Sequence, residues 1–549
     1  MTLNKKRPFF NKIFCVFIGS LLVLGCAVQQ RPQGGPRDTQ PPKLLLATPA
    51  NLTHNFKAKE IRLDFDEYFK LVNQFQEITL FPVPEKKLPD YKISGKSLII
   101  QLKDTLLKNT TYVFNFGKGI QDVNESNQLK NFTYVFSTGD HIDSLSVTGT
   151  VTNNQTQLKE KDAIVMLFTL KQDSLLFGKK KPSLYTTTDS AGNFKLGNLK
   201  EGVYKLYALK EQSGDKIYNN DNELIAFSTN LINLTRDTAN VRLKLFKQTP
   251  TKVRFVDRKF QGDGSMLFTL NKPLTKPSLK IIYPPGLDEQ KIVDFSKTGD
   301  TATVYSKNMD FDSIRVAFYD NDKPVDTTSI RKGRKESFTK NVAFRYGVDA
   351  NSQLRPGADL KIYANVPIES FEPSLITLKE DSNQVNYTLV KDTGTAKRFT
   401  LKYRFKPKSG YLLEIGESAF TTIYGDKNTK KQTKSFSVSK PENFSNLTLK
   451  VNVPDTTKMY VVELLDAGKN VLRSDVITKK TTLVYRNYYV GKFSLRVVYD
   501  GNRNGKWDSG SIKDRRQPEN IWVYEKEFVL RPNWEMEEAV EIPKEVITP

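Results

Sequence analysis

Only two histidines, His54 and His141, and two cysteines, Cys15 and Cys26, occur among the 549 residues. A multi-histidine zinc site or a pair of histidine-based catalytic centres cannot be assembled from that inventory. The stretch with the most pointed chemistry is Asp500-Gly501-Asn502-Arg503-Asn504-Gly505-Lys506-Trp507-Asp508. It offers side-chain oxygens from Asp500, Asn502, Asn504 and Asp508, a backbone carbonyl from Lys506, and a turn-forming glycine at position six, the front of a calcium loop. Position twelve is Ser511 rather than a bidentate carboxylate, so a later acid such as Asp514 must substitute or affinity is weak. Calcium is therefore the one cofactor the sequence suggests, and the alternative is an Asn-Gly hairpin turn that needs no metal. A partial echo, Glu211 to Asn219, has Lys216 in place of the glycine and argues for a repeated hairpin more than for repeated chemistry.

The three tryptophans, Trp507, Trp522 and Trp534, all fall in the last hundred residues. Exposed, Trp507 and Trp522 would anchor a partner or stack on sugar rings; the alternative is core packing, since Trp522 alternates with Tyr524 in a strand-like run. No nucleophile motif or phosphate-cradling glycine loop singles out any carboxylate or hydroxyl. The sequence is accordingly expected to be non-catalytic, with a carboxylate-dependent hydrolase as the remote alternative.

What must position these residues begins with the export machinery. Lys5, Lys6, Arg7 and Lys12 precede the apolar run Ile13 to Leu24, too short to span a bilayer permanently. The run ends in Val23-Leu24-Gly25-Cys26, which resembles a bacterial lipobox, with valine in place of the commoner leucine. That resemblance makes residues 1–25 a signal peptide and Cys26 the lipidated, palmitate-bearing anchor. No thiol would then remain for a disulfide or a nucleophile. Residues 26–42 are rich in glycine and proline and read as a tether. Ala27 and Val28 follow the cysteine without an aspartate, which favours the outer membrane.

Beyond the tether, apolar residues alternate in short runs such as Ile61, Leu63, Phe65 and Tyr112, Phe114, Phe116, separated by Asn, Gly, Asp, Pro and Lys. No helical period is sustained. The pattern predicts an all-β chain of five sandwich-sized modules at 43–140, 141–247, 248–341, 342–440 and 441–549. At roughly 30–40 Å each, five modules laid end to end would extend on the order of 150 Å.

Two kinds of module alternate in this reading. Ile61 to Asp66, Tyr112 to Asp122 and Tyr134 to Gly139 resemble the opening and closing strands of bacterial Ig-like domains of the surface-layer type. Residues 342–440 carry a weaker copy and 248–341 a degenerate one. Thr188-Asp189-Ser190-Ala191-Gly192-Asn193-Phe194 through Gly202 to Leu206 resembles the carboxypeptidase regulatory-like, transthyretin-like sandwich, which implies a non-catalytic module. Residues 441–549 resemble it through their final strands only. Asp-Ser and Asp-Thr triplets at Thr105, Ser144, Ser174, Ser190, Thr238, Thr301, Ser313, Thr327 and Thr456 resemble the O-glycosylation sequon of Bacteroidota, although such pairs are also common in turns.

The formal charge of +23 would suit nucleic acid. The basic clusters Lys179 to Lys181, Arg331 to Lys335 and Lys427 to Lys434, however, lie in turn-like segments without the spacing of a recognition helix, and no nucleic-acid partner is expected. The whole chain resembles a modular Ig-like lipoprotein of Bacteroidota. That implies a scaffold or binding subunit at the outer membrane, on its periplasmic or outer face, holding a β-barrel or other lipoproteins. A carbohydrate-binding or adhesion role is the alternative.

Overall fold

The structure, a computed structural model, describes residues 37–546 apart from 85, 221, 334–337, 339 and 340. The export segment, Cys26 and most of the tether lie outside the described residues. The chain divides into two compact units, residues 1–142 and 143–549. Among the described residues nearly all regular structure is β, and the α-helices there are the short Gln74–Glu77 and Leu170–Leu176.

In the first unit, the strand Glu60–Phe65 shows how the alternation works. Ile61, Leu63 and Phe65 are buried while Glu60 and Arg62 face out, as period-two geometry requires. This strand lies in a sheet ordered Leu44–Thr48, Glu60–Phe65, Ser97–Gln101, Asp90–Ser94. A second sheet, ordered Thr133–Ser137, Thr111–Asn115, Thr79–Phe81, closes over it. Tyr112, Phe114, Tyr134 and Phe136 meet Ile61, Leu63, Leu98 and Ile100 in one core. A small side sheet pairs Phe69–Leu71 with Ile120–Asp122.

The same connectivity recurs twice in the second unit. Residues 342–440 repeat its main strand order, with Phe344–Tyr346, Leu360–Ala364, Arg398–Lys402 and Thr388–Lys391 in one sheet. Ile376–Glu380, Gly410–Ile415 and Gln432–Val438 follow in the other, and Ile368–Phe371 pairs with Phe420–Thr422 at the side. Residues 248–341 keep the two main sheets, with no side pair among the described residues. Lys397 links these two neighbours: its Nζ stands 2.8 Å from Asp294 Oδ2 and donates to the Tyr305 hydroxyl at 2.7 Å.

The second and fifth modules share a different plan of eight strands. In the second, Leu145–Asn153 pairs with Asn193–Leu199 and, in parallel, with Thr238–Lys247; Ile164–Thr169 pairs with Leu184–Thr187 and Gly202–Lys210; the latter also takes Leu224–Phe227 and Ile232–Leu234. In the fifth, Phe444–Asn452 pairs with Thr481–Tyr489 and, in parallel, with Glu535–Glu541. Met459–Leu465 pairs with Val471–Ile477 and Gly491–Asp500, and the latter takes Ile521–Val523 and Phe528–Leu530. Every pairing of one has its counterpart in the other, with one addition. In the second module Leu224 and Ile225 also pair with Lys247 and Phe246, fusing its two sheets.

The turn read from sequence at Asp189 to Gly192 is present: Asp189 Oδ1 accepts the N–H groups of Ala191 and Asn193, Gly192 takes a positive φ, and Phe194 and Leu196 enter the core. Within the second unit, end-to-end spacing is not. The second and fifth modules pack directly against each other there, so in that unit order along the chain is not order in space. The sequence carries no local signal for that return, to which one loop contributes most of the hydrogen bonds, with Arg496 donating to Gln155 O at 3.5 Å from the strand before it.

Candidate functional site: the Asp500 loop and its seat

The loop leaves the strand Gly491–Asp500 and rejoins the sheet at Ile521. Asp500 organises its start. Its Oδ1 accepts the Asn504 N–H at 3.1 Å and its Oδ2 the Gly505 N–H at 2.7 Å, and Gly505 sits at φ +76°, where a side chain would be strained. Asn502 Oδ1 accepts the Asn504 N–H and Asn504 Oδ1 the Lys506 N–H, while both side-chain amides donate to Asp508 Oδ2 at 2.5 Å. The candidate calcium ligands Asp500, Asn502, Asn504 and Asp508 are thus gathered into one turn, held by bonds within it. Among the described residues, no group of three or more His, Cys, Asp or Glu is placed to hold a metal ion.

Asp514 does not supply the missing acid. Its Oδ2 accepts from the Ser511 hydroxyl at 2.8 Å, inside a separate turn in which Ser511 and Arg516 exchange backbone bonds. Glu519 closes on the loop instead, Oε1 accepting the Gly501 N–H at 2.8 Å and Oε2 the Asp508 N–H at 3.0 Å. Burial pushes its carboxyl above the usual range, and the charges of Asp508 and Asp500 add to the rise against those two hydrogen bonds.

The rest of the loop lies on the second module. The Trp507 indole N–H donates to Glu519 O at 3.0 Å and Asn154 Oδ1 at 3.2 Å. Its ring packs both on the second module's cluster of Phe168, Tyr207, Phe227 and Phe246 and on the fifth module's Val461, Val498 and Ile521. Ile512 joins the former cluster, and its N–H donates to Gln248 Oε1 at 2.8 Å. Ser509 donates to Lys247 O at 2.5 Å. Gly510 lies so close to Phe246 that an added Cβ would stand 2.6 Å from its ring. The Arg515 guanidinium covers the Phe227 ring at 4.8 Å and donates to Ser228 O at 2.6 Å; Gln517 donates to Phe227 O at 2.9 Å.

Trp507 is therefore spent inside the chain, a correction to its reading as a contact for an outside partner. Trp522 packs against the fifth module's core, edge-on to Tyr524, which is the core-packing alternative. Trp534 is the exposed one, at 52%, with Arg531 over its face. Of the candidate glycosylation positions, Thr105, Ser144, Ser174, Ser190, Thr327 and Thr456 are exposed, and Thr238, Thr301 and Ser313 are half-buried. Gln248, Gly510, Arg515 and Glu519 escaped the sequence reading. The usable signal was length: twenty residues between two paired strands is far beyond the usual hairpin connection, and such loops ordinarily have work to do.

With two sandwich plans each present more than once, the molecule is a tandem array of β-sandwiches, and residues 38–138 match the bacterial Ig-like domain family. That match assigns a bacterial Ig-like domain to this stretch of the chain. No curated protein matches it. Solved structures similar to it include the major pilin subunit BcpA of Bacillus cereus, 10% identical over 72% of this chain and 99% of that one, with a TM-score of 0.14. The Bacillus anthracis TIE protein is 9% identical over 93% of this chain and 76% of its own, and the S-layer protein rSbsC(31-844) 12% identical over 88% and 66%, each again at 0.14. At that score the superpositions carry no argument.

Proposed function

We propose that this chain is a lipid-anchored, non-catalytic outer-membrane protein that serves as a scaffold or binding subunit for other envelope proteins, a β-barrel or further lipoproteins. The lipobox-like Val23-Leu24-Gly25-Cys26 ahead of a Gly/Pro tether supports the anchor. The observation that carries the scaffold reading is the seating of the Asp500 loop on the second module. It fixes two modules through contacts that span 262 to 353 positions of sequence, so their outer surfaces keep a set relation. A holder with fixed geometry raises the effective concentration of what it holds without new contacts.

Gentle detergent extraction from the native host followed by affinity purification tests this reading. Stable co-purification of an integral barrel or of other lipoproteins is the expected result, lost on Cys26→Ser through release or failed processing. A monomer whose deletion leaves other envelope proteins undisturbed overturns it. In the same material, intact mass should show lipid on Cys26, and glycan, where present, on the six exposed triplets rather than the three half-buried ones.

A further inference from the structure

The outer face of the sheet formed by Leu145–Asn153, Asn193–Leu199 and Thr238–Lys247 carries a second arrangement. Val147 and Val151 point into the core, so Thr148, Thr150 and Thr152 line up on the other side. Register sets their neighbours. Thr148 stands opposite Lys195, Thr150 lies between Asn193 and Arg242, and Thr152 lies between Lys159 and Lys244. Successive threonines are two residues apart, about 7 Å along the strand. The result is a grid of hydroxyls flanked by cations and amides, and it floors a cleft of about 730 Å³ that Gln157, Asn240 and Val546 help to wall. That volume falls in the range of ligand sites, roughly 300–1,000 Å³.

The acids nearest this face are already engaged. Glu545 pairs with Lys458 at 3.2 Å and accepts from Asn520 at 2.8 Å, and Asp237, at the far end, accepts from Ser146. Lys159, Lys195 and Arg242 have no ion pair among the described residues. Lys244 is half-buried and donates to Asn520 Oδ1 at 2.7 Å; burial pushes its ammonium down, Glu545 opposing and Arg242 adding to the fall. The floor lies close over the core at Gly149, which shares the inward side of the strand with Val147 and Val151 and where a Cβ would meet Val241 O at 2.0 Å. Its one aromatic, Phe194, is buried beneath it, so no ring is offered for stacking a neutral sugar.

We propose that this cleft is a binding site for an acidic saccharide, its anionic groups met by Lys159, Arg242 and Lys244 and its hydroxyls by the threonine row and the flanking amides. This goes beyond the scaffold reading and does not depend on it. Titration calorimetry of the full mature chain with hexagalacturonate, and with neutral cellohexaose, reads it. Binding of the acidic hexamer, weakening with added salt, is expected, with none of the neutral one. Lys159→Ala with Arg242→Ala, both exposed and so harmless to folding, should weaken binding at least about tenfold while the melting temperature holds. Lys427→Ala with Lys430→Ala, in the fourth module, should leave it unchanged. Equal losses in both double variants would reduce the effect to the chain's net charge and overturn the site, as would no binding at all, or binding only to phosphatidylglycerol vesicles.

Discussion

The second and fifth modules are one topology used twice, and they differ in what they do with the same loop. In the second, residues 211–220 fold back on their own module: Glu211 accepts the Lys216 N–H at 2.7 Å, Glu223 accepts from Asn219 and Asn220, and the buried Lys216 ammonium reaches over the Tyr185 ring. In the fifth, the corresponding loop has Gly505 where the second has Lys216. It folds only its first half on itself, anchored by Asp500 and Glu519, and sends the second half out to complete its sister's core. One copy is closed by its own strands, through the Leu224 and Ile225 pairs with Lys247 and Phe246; the other stays as two sheets and closes against its neighbour. A repeated fold can therefore keep its strand order and turn a connection into an interface.

The largest effect should come from removing the ring that both modules share. Trp507→Ala should cost about 2–4 kcal/mol, less than a fully buried tryptophan because one edge is exposed. Hydrogen exchange should speed up in Ile164–Thr169 and Leu224–Phe227 of the second module as well as in the fifth. Loss of protection confined to the fifth module would mean the two are not energetically joined. Gly510→Ala should follow at about 1–3 kcal/mol, by overpacking against Phe246. Adding Phe246→Leu should recover part of that loss in a double-mutant cycle, because the two sites touch across the interface; strict additivity would break the argument.

Arg515→Met keeps the length of the stem and removes the guanidinium. A loss of about 1–2 kcal/mol in urea unfolding is expected, from the ring contact and the bond to Ser228 O. The smallest effect is a slope. Glu519 is pushed up in the folded chain, so its contribution to stability is present below the ordinary carboxyl value of about 4.3 and is lost as pH rises through its raised folded value. Glu519→Gln should flatten the part of the profile that lies above the ordinary carboxyl value relative to the parent. An unchanged slope would remove Glu519 from the account of how the fifth module's loop is held.

Much of this fold could be read in advance because it is local. The alternation at Ile61, Leu63 and Phe65 and the Asp189 to Gly192 turn are properties of a few adjacent residues. The seat of the loop is not: Trp507 meets Asn154 across more than 350 positions, and neither residue's neighbours announce the other. The Asp500 motif was conspicuous for its oxygens, and what those oxygens do in the structure is shape a turn. The residues that dock it, Gly510 and Arg515, follow no period. Even the kinship of the fifth module with the second, legible only in its last strands, rests on pairings that no single stretch of sequence contains.

The parallel pairing of first and last strands in both modules has a mechanical consequence. Leu145–Asn153 runs beside Thr238–Lys247, and Phe444–Asn452 beside Glu535–Glu541, each through a row of backbone bonds. In a parallel pair the chain enters at one end and leaves at the other. Tension between the ends of either module would pull the two strands along each other, loading the whole row at once, where a hairpin pulled from its open end gives way bond by bond. Were the chain held at one end by the proposed lipid anchor, these two rows would be where its modules resist a pull between their ends.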